Sequence, residues 1–499
     1  MRKYLKDNLL QSVTMLVEAT LELDKAKNAG NKAESFEILI TSQELVAAMA
    51  EMYEKEEGFN KTSAFGEYSL VLLDAASKIS DDQEIDTEFI NKSAVKLEQF
   101  IEKSAIDSFK IVFMPYKLSM WTAMESIWKA AKEDEKCIAD VVPIPYFNIA
   151  DANNITMSYE GDKFPKEVGI KDYRDYKLDV EKADIIVIHN PYDDCNNLTS
   201  VHPQFYSSEL KKHTECLVYS PYFTFGTYSG EKSKHLYVMP GTINADKIVV
   251  QSNKVADIFK SYGFKDEKLM VTGSPKTDEI YNFTREKVEL PKEWEEKLKG
   301  KKVFLLNTHL SYFPQSYDMA EKTDNNYAVR FHNEILDTFK NRDDVALIWR
   351  PHPLLKNMIY ERYTQCIEYV EYFEKELLES SNCVIDTYGE YKYSFAYSDA
   401  MISTWSSLIN EYMVTEKPVL IFQRRLKPEI EAVAPVNRNL NYFRFAGDEP
   451  LTFEEFAQMV KEGRDPKKEE RIAMLKEAFV NMDGCAGKKA YEEIRKIFL

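Results

Sequence analysis

No apolar run in this 499-residue chain approaches the ~20 residues that a membrane-spanning helix needs. The start, MRKYLKDNLLQ, has neither a long apolar core nor a small-residue cleavage site, so no secretion signal is expected. A cytoplasmic protein, or one peripheral at the inner membrane face, is the expectation. The six cysteines, Cys137, Cys195, Cys216, Cys366, Cys383 and Cys485, are scattered and form no C-x-x-C, which argues against a zinc site or a disulfide framework. The seven histidines form no H-x-x-x-H pair, so neither a helix-borne metal site nor another cofactor is expected. There is no G-x-G-x-x-G and no G-x-x-x-x-G-K-[ST], hence no dinucleotide fingerprint and no P-loop. Basic excess is missing too: the formal net charge is −18, which argues against a nucleic-acid partner and against strong attraction to anionic lipid. A local basic pocket for a phosphorylated ligand remains compatible with that charge.

What is present is ordinary globular material, 44% hydrophobic and 30% charged, in a chain long enough for two or three domains. Residues 1–105 carry four segments with apolar residues at helical spacing, which predicts a helical bundle. Its expected role is oligomerisation or partner binding, with a plain packing domain as the alternative. From Lys110 the pattern changes. KIVFMP (110–115), ADVVPIPY (139–146), ADIIVIHN (183–190), CLVYSPY (216–222), DKIVVQS (246–252) and KLMVTGS (268–274) read as strands, with helices between several of them. Residues 106–285 are thus expected to form a Rossmann-like domain. A second alternating series runs from KVFLLNT (302–308) through VALIWRP (345–351), NCVID (382–386), DAMIST (399–404) and PVLIFQ (418–423). Residues 286–499 are expected to form a second Rossmann-like domain with C-terminal helices. The fold class is therefore α/β, two doubly wound parallel sheets in series with a helical domain in front, and ligands belong at the carboxyl ends of the strands.

Four strand ends carry chemistry. WRPHP (349–353) follows an apolar strand. Arg350 offers a planar fork suited to phosphate, and His352 can donate a hydrogen bond or exchange a proton near neutral pH. Pro351 and Pro353 restrict the backbone around that histidine. A structural turn, with the histidine capping a carbonyl, is the alternative. Thr404-Trp405-Ser406-Ser407 opens a helix after DAMIST, where hydroxyls and free N–H groups would meet an anion. Glu411 lies on the same face as Ser407 and could receive hydroxyls of a ribose or polyol; an ordinary cap and a solvated glutamate are the alternative. Gly273, Ser274 and Lys276 in VTGSPKTDEI (271–280) are placed as a hinge beside the cleft or as a simple loop. Thr308 and His309 in NTHLSYF (307–313), with Asn307 and Ser311, are candidates to line the same cleft.

The first unit has a polar strand end of its own, IHNPYDDCNNLTSVHP (188–203), and Lys117 and Glu125 flank the start of another helix. Asp193 or His202 could act there as general base for an acceptor hydroxyl, with a self-bonded asparagine-rich turn as the alternative.

Taken together, these motifs resemble the CDP-glycerol glycerophosphotransferase family, which builds teichoic-acid polymers. Its R-x-H-P turn is matched by Arg350-Pro351-His352-Pro353, and its T-D-Y-S-S helix start with a following K-P by Ser403-Thr404-Trp405-Ser406-Ser407 and Lys417-Pro418. Its G-x-P-R-x-D turn is similar to Gly273-Ser274-Pro275-Lys276-Thr277-Asp278. The likeness covers about residues 106–425 and leaves residues 1–105 outside. Thr404 stands where the family has Asp, and Lys276 where it has Arg. The family's W-H-G-T/S segment, source of its base, has no counterpart: YSPYFTFGTYSG (219–230) holds no histidine.

The resemblance implies a GT-B fold, with residues 106–285 as the acceptor-side domain and 286–499 as the donor nucleotide-binding domain, and transfer of a glycerophosphate-type group from a CDP-linked donor to a hydroxyl acceptor of a cell-surface polymer or lipid-linked precursor. In that reading His352 and Arg350, with N–H groups at Ser406 and Ser407, stabilise charge on the diphosphate. Two other readings stay open: a GT-B glycosyltransferase using a nucleotide sugar, and a non-catalytic nucleotide- or polymer-binding scaffold.

Overall fold

The computed structural model describes residues 1–499 apart from 59–60, 152–153, 197, 226–229, 310–326, 353, 405, 407, 424–441, 446–450 and 499. Four helices come first: α1 (Lys3–Asn28), α2 (Lys32–Glu57), α3 (Ser63–Ser80) and α4 (Thr87–Lys103). Each is long enough to turn a full apolar stripe inward, as Leu5, Leu9, Val13, Leu16 and Leu23 do on α1. Sequence neighbours pack together and α1 closes on α4, which makes a four-helix unit with its own core.

Fifteen strands follow among the described residues: β1 (Phe109–Met114), β2 (Cys137–Val141), β3 (Tyr146–Asp151), β4 (Asn154–Ser158), β5 (Ala183–Ile188), β6 (Thr199–Val201), β7 (Thr214–Tyr219), β8 (Lys247–Val250), β9 (Leu269–Val271), β10 (Lys302–Thr308), β11 (Val345–Pro351), β12 (Cys383–Ile385), β13 (Ala400–Ser403), β14 (Val419–Gln423) and β15 (Tyr442–Phe445). Two six-stranded sheets hold twelve of them, in the orders β2-β1-β5-β7-β8-β9 and β12-β11-β10-β13-β14-β15, with every pairing parallel. Strands such as β1 and β5 are buried at every position, because helices cover both faces of a parallel sheet.

Three features were not legible in the sequence. A small antiparallel sheet, β4-β3-β6, splits ADVVPIPY between two sheets and draws in residues after the predicted strand. Between β11 and β12 the chain forms two helices, Leu355–Arg362 and Ile367–Glu379, separated by a tight turn at Thr364–Cys366. The last helix, Ala486–Arg495, was assigned with the second sheet. It instead returns to the first, where Ala490, Tyr491 and Ile494 join the core around Phe109, Ile127 and Trp128. Amphipathic helices have no preference in sequence for one apolar surface over another, so this choice belongs to the tertiary fold.

Strand order sets where a ligand would sit. The chain leaves β10 in one direction to β11 and β12, then reverses to β13, β14 and β15. The reversal opens a crevice between the carboxyl ends of β10 and β13. Among the described residues no helix is long and apolar enough to cross a membrane.

Candidate active site at the carboxyl ends of the second sheet

The crevice is built from backbone first. Asn307 at the end of β10 donates from Nδ2 to the Arg350 carbonyl (3.1 Å), accepts from Ser403 Oγ (3.2 Å), and receives the Thr404 N–H on its own carbonyl (3.1 Å). One buried amide thereby fastens the ends of β10, β11 and β13. Thr404 Oγ1 accepts the His309 N–H at 2.8 Å and closes the link from the other side. The chain after these ties carries His309 and His352, whose rings meet edge to face with centroids 5.5 Å apart.

His352 is held in one orientation. Its backbone N–H donates to the Thr308 carbonyl (3.2 Å), its carbonyl accepts from Leu355 N (2.8 Å), and its Nδ1 accepts the Leu354 N–H (3.1 Å). Burial and the neighbouring His309 push its pKa down to about 4. The ring is therefore neutral at pH 7. With Nδ1 accepting, the proton resides on Nε2, which has no acceptor among the described residues. His352 is a fixed hydrogen-bond donor, not the proton exchanger near neutrality that the sequence also allowed. Burial lowers the His309 pKa as well.

Arg350 does not present a fork to the crevice. Its guanidinium pairs with the buried Asp386 (2.8 Å) and donates to the carbonyls of Tyr388 (3.0 Å), Gly389 (3.3 Å) and Glu390 (3.3 Å). It shapes the loop after β12. Asp386 also accepts from Tyr388 N (3.0 Å) and from the Ser394 hydroxyl. Nothing in the sequence flagged Asp386 except a carboxylate at a strand end. Thr308, another expected ligand residue, faces the core: its Oγ1 receives the Trp349 indole N–H (3.3 Å) and lies beside His332. Alternation along β10 sends Thr308 inward.

Glu411 is neither solvated nor open. It is buried, with Lys276 Nζ at 2.7 Å, and its charge adds to burial in raising the Tyr391 pKa. Lys276 further donates to the Tyr222 carbonyl (3.2 Å), so one ammonium joins the end of the first unit to the helix Leu408–Met413. Tyr391 packs between two cations, with Lys276 Nζ 5.9 Å and the Arg350 guanidinium 6.0 Å from its ring centroid. Ser406 Oγ accepts the Leu408 N–H at 3.2 Å, an ordinary helix-start contact. Ser407, Trp405, Ser311 and Pro353 lie outside the described residues.

The GSPKTD turn is a structural junction. Gly273 has φ +95°, and a Cβ there would meet the Val480 carbonyl oxygen at 2.5 Å and the Ala486 Cβ at 2.8 Å. Ser274 is buried, its carbonyl taken by Thr277 N–H (2.9 Å) and Oγ1 (2.7 Å). Asp278 accepts the N–H groups of Ala486 (2.8 Å) and Gly487 (2.7 Å), capping the terminal helix. Gly273 and Ser274, placed from sequence as a hinge beside the cleft or a simple loop, are both engaged in this packing. Gly273→Ala is expected to cost about 2–4 kcal/mol, from a left-handed non-glycine residue and a backbone clash. A lowered urea midpoint at unchanged secondary structure is the reading that checks it.

Neither expected base in the first unit is poised for proton transfer. Asp193, itself at φ +50°, is buried and accepts from Ser207 N (2.9 Å) and Ser207 Oγ (2.7 Å). Burial raises its pKa above the ordinary carboxylate value, against those two bonds. His202 stacks on Phe147 (5.8 Å between centroids), and its Nδ1 accepts the Gln204 N–H (3.4 Å). His202 closes a local turn, whereas Asp193 ties the loop after β5 to the start of the helix Ser207–Leu210. His189 is fully buried, with Nε2 accepting the Tyr116 N–H (3.0 Å) and its pKa pushed down to about 3 by burial.

Between the two sheets lies a cavity of about 870 Å³. Residues after β1, including Trp121 and Glu125, form one wall, and Glu390, Tyr391 and Lys392 after β12 form another. Glu279, on the helix Pro275–Tyr281, completes it. Sequence reasoning passed over Glu279 and Tyr391; the spacing of Glu279 three residues after Lys276 was the available signal.

Two doubly wound parallel sheets with a cavity between their strand-end loops define a GT-B-like protein. The profile of the CDP-glycerol:poly(glycerophosphate) glycerophosphotransferase family matches residues 231–496, more than half of the chain, and the chain belongs to this family. Teichoic acid ribitol-phosphate polymerase TarL of Staphylococcus aureus (strain NCTC 8325 / PS 47) is 24% identical over 166 residues, which cover 33% of this chain and 26% of TarL. The chain thus spans about a quarter of the length of that curated relative. Among solved structures, a Listeria monocytogenes protein described as a UDP-N-acetylglucosamine 2-epimerase aligns with a TM-score of 0.50 at 13% identity, over 78% of this chain and 97% of that one. The wall teichoic acid polymerase TagF aligns with a TM-score of 0.45 at 16% identity, over 87% of this chain and 98% of that one. The Listeria likeness is one of fold alone.

Proposed function

We propose that this chain transfers a glycerophosphate-type group from a CDP-activated donor to the hydroxyl of a cell-surface polymer or its lipid-linked precursor. The reaction would proceed at the cytoplasmic face of the membrane. The acceptor oxygen bonds to the distal phosphorus, the bond from that phosphorus to the CMP oxygen breaks, and CMP leaves. The donor diphosphate lies at the crevice between the ends of β10 and β13. His352 donates from Nε2 to its oxygens, with His309 and Ser406 beside it. Lys276 and Glu411 hold the two units in register across the cleft. The observation that carries this reading is the His352 ring, neutral and pinned at Nδ1, at the point where a doubly wound sheet binds ligand. Family membership supplies the chemistry.

The test is a donor panel. CDP-glycerol and CDP-ribitol should raise the melting temperature of the purified chain, since a ligand of the native state stabilises it, while UDP- and GDP-sugars should not. With CDP-glycerol and an oligo(glycerophosphate) acceptor, CMP and a new phosphodiester are expected. A nucleoside diphosphate with a new glycoside would favour the glycosyltransferase reading. Donor binding without turnover would favour the scaffold.

A further inference from the structure

The motif that supplies a histidine base in the family is absent here, and the two substitutes legible in the sequence are engaged, Asp193 by Ser207 and His202 by its own turn. Phe225, within the stretch that lacks the histidine, is buried in an aromatic stack with Tyr237 and Phe259. A hydroxyl nucleophile still needs a proton acceptor within hydrogen-bond reach.

The cavity between the sheets supplies one. Glu279 sits three residues after Lys276 on the helix Pro275–Tyr281, so the two side chains are neighbours on one helix face. Lys276 in turn holds Glu411 at 2.7 Å on the donor-side helix. Glu279 is therefore one helical turn from the contact that joins the two units, and it lines the cavity. Its carboxyl has no ion-pair or hydrogen-bond partner among the described residues. Trp121, buried on the same cavity's wall, has an indole N–H that is likewise unpartnered among the described residues.

We propose that Glu279 is the general base, taking the proton from an acceptor hydroxyl held in this cavity; the inference rests on the transfer reading above. The hydroxyl proton passes to the carboxylate as the new oxygen–phosphorus bond forms and CMP departs with the bonding pair of the broken bond. The surroundings suit the role. Burial pushes the Glu279 pKa up to about 7, and the nearby carboxylates of Glu125 and Glu390 add to the rise. Lys392 and Lys129 oppose it. Those lysines are themselves paired, Lys129 with Glu125 and Lys392 with Glu390, both at 2.7 Å. From its own helix Lys276 is committed to Glu411, and Tyr391, after β12, lines the cavity with Glu279 near it. A base with a pKa near the working pH combines a large ionised fraction with real affinity for the proton.

The experiment follows CMP release from CDP-glycerol with an oligo(glycerophosphate) acceptor, as a function of pH, for the full chain and three variants. Glu279→Gln, nearly isosteric, should lower kcat by about a hundredfold or more. Its affinity for CDP-glycerol by calorimetry should stay within about twofold, because the carboxylate acts on the acceptor hydroxyl and makes no contact with the donor diphosphate. Glu279→Asp should recover part of the rate. The unsubstituted chain should gain activity as pH rises through about 7, where the carboxyl ionises. Glu125→Gln removes a like charge, lowers the Glu279 pKa, and should move that rise to lower pH without abolishing turnover. A purely structural Glu279 would not move the profile. Turnover preserved in Glu279→Gln, or a rise unmoved by Glu125→Gln, overturns the base while leaving the transferase. A chain that binds CDP-glycerol and releases no CMP overturns the transfer reading, and the base with it.

Discussion

His352→Ala lowers the rate of CMP release by ~10²–10³-fold, the usual cost of removing one preorganised donor to developing charge. The secondary structure and melting profile stay close to those of the parent, because the ring is half-buried and lies at the crevice instead of in a core cluster. Donor affinity falls less than the rate, since charge on the bridging oxygen grows as CMP departs. With a pKa near 4, His352 contributes no ionisation between pH 5 and 8. The pH profile of the parent in that window therefore belongs to other groups, and the alanine variant keeps its shape at a lower level. The measurements are steady-state CMP release across that range and calorimetric binding of CDP-glycerol. A folded His352→Ala protein with parental turnover would remove the residue from the mechanism.

Arg350→Met produces the largest loss of stability, about 3–5 kcal/mol, because it leaves the Asp386 carboxylate buried without its cation. Methionine fills a similar volume, so the loss comes from the missing charge and hydrogen bonds more than from a void. Three carbonyls of the loop 388–390 lose a donor in the same step. The loop also carries Tyr391, so turnover should fall through misplacement of the cleft wall. A double variant, Arg350→Met with Asp386→Asn, should recover part of the stability by removing the stranded charge. Urea unfolding of the single and double variants, read as a cycle, isolates the coupling. Arg350 binding phosphate directly would give another outcome, weakened donor binding in a protein of unchanged stability.

The reading of local chemistry ran well ahead of the reading of side-chain direction. WRPHP was recognisable as a strand end because four apolar residues precede a proline-bracketed histidine. The alternation of apolar runs and amphipathic segments was enough for two parallel sheets, since burial on both faces demands continuous apolar strands. Asp193 and His202 were chosen for residue type and nearness to a strand end. In three dimensions His202 closes a turn of its own loop, the alternative that polar turn residues offer, while Asp193 is taken by Ser207 at the start of a short helix beyond β6. Thr308 and His309 are adjacent in sequence, yet only the register of β10 sends one into the core and the other toward the crevice.

By itself the sequence determined the class of elements, their order, and the places where strands end in polar, backbone-restricted residues. Short-range forces suffice for that, since hydrophobic periodicity and the fixed φ of proline act within a few residues. Only the tertiary structure decided which polar groups are consumed. The partner of Lys276 lies 135 residues away in Glu411, and that of Asp278 lies 208 residues away at Ala486. A buried charge or amide takes whichever partner the packed elements bring within about 3 Å, because leaving it unpaired costs more than the bond contributes. That selection tied Arg350 to Asp386, left His352 with one directed donor, and left the Glu279 carboxyl without a partner among the described residues.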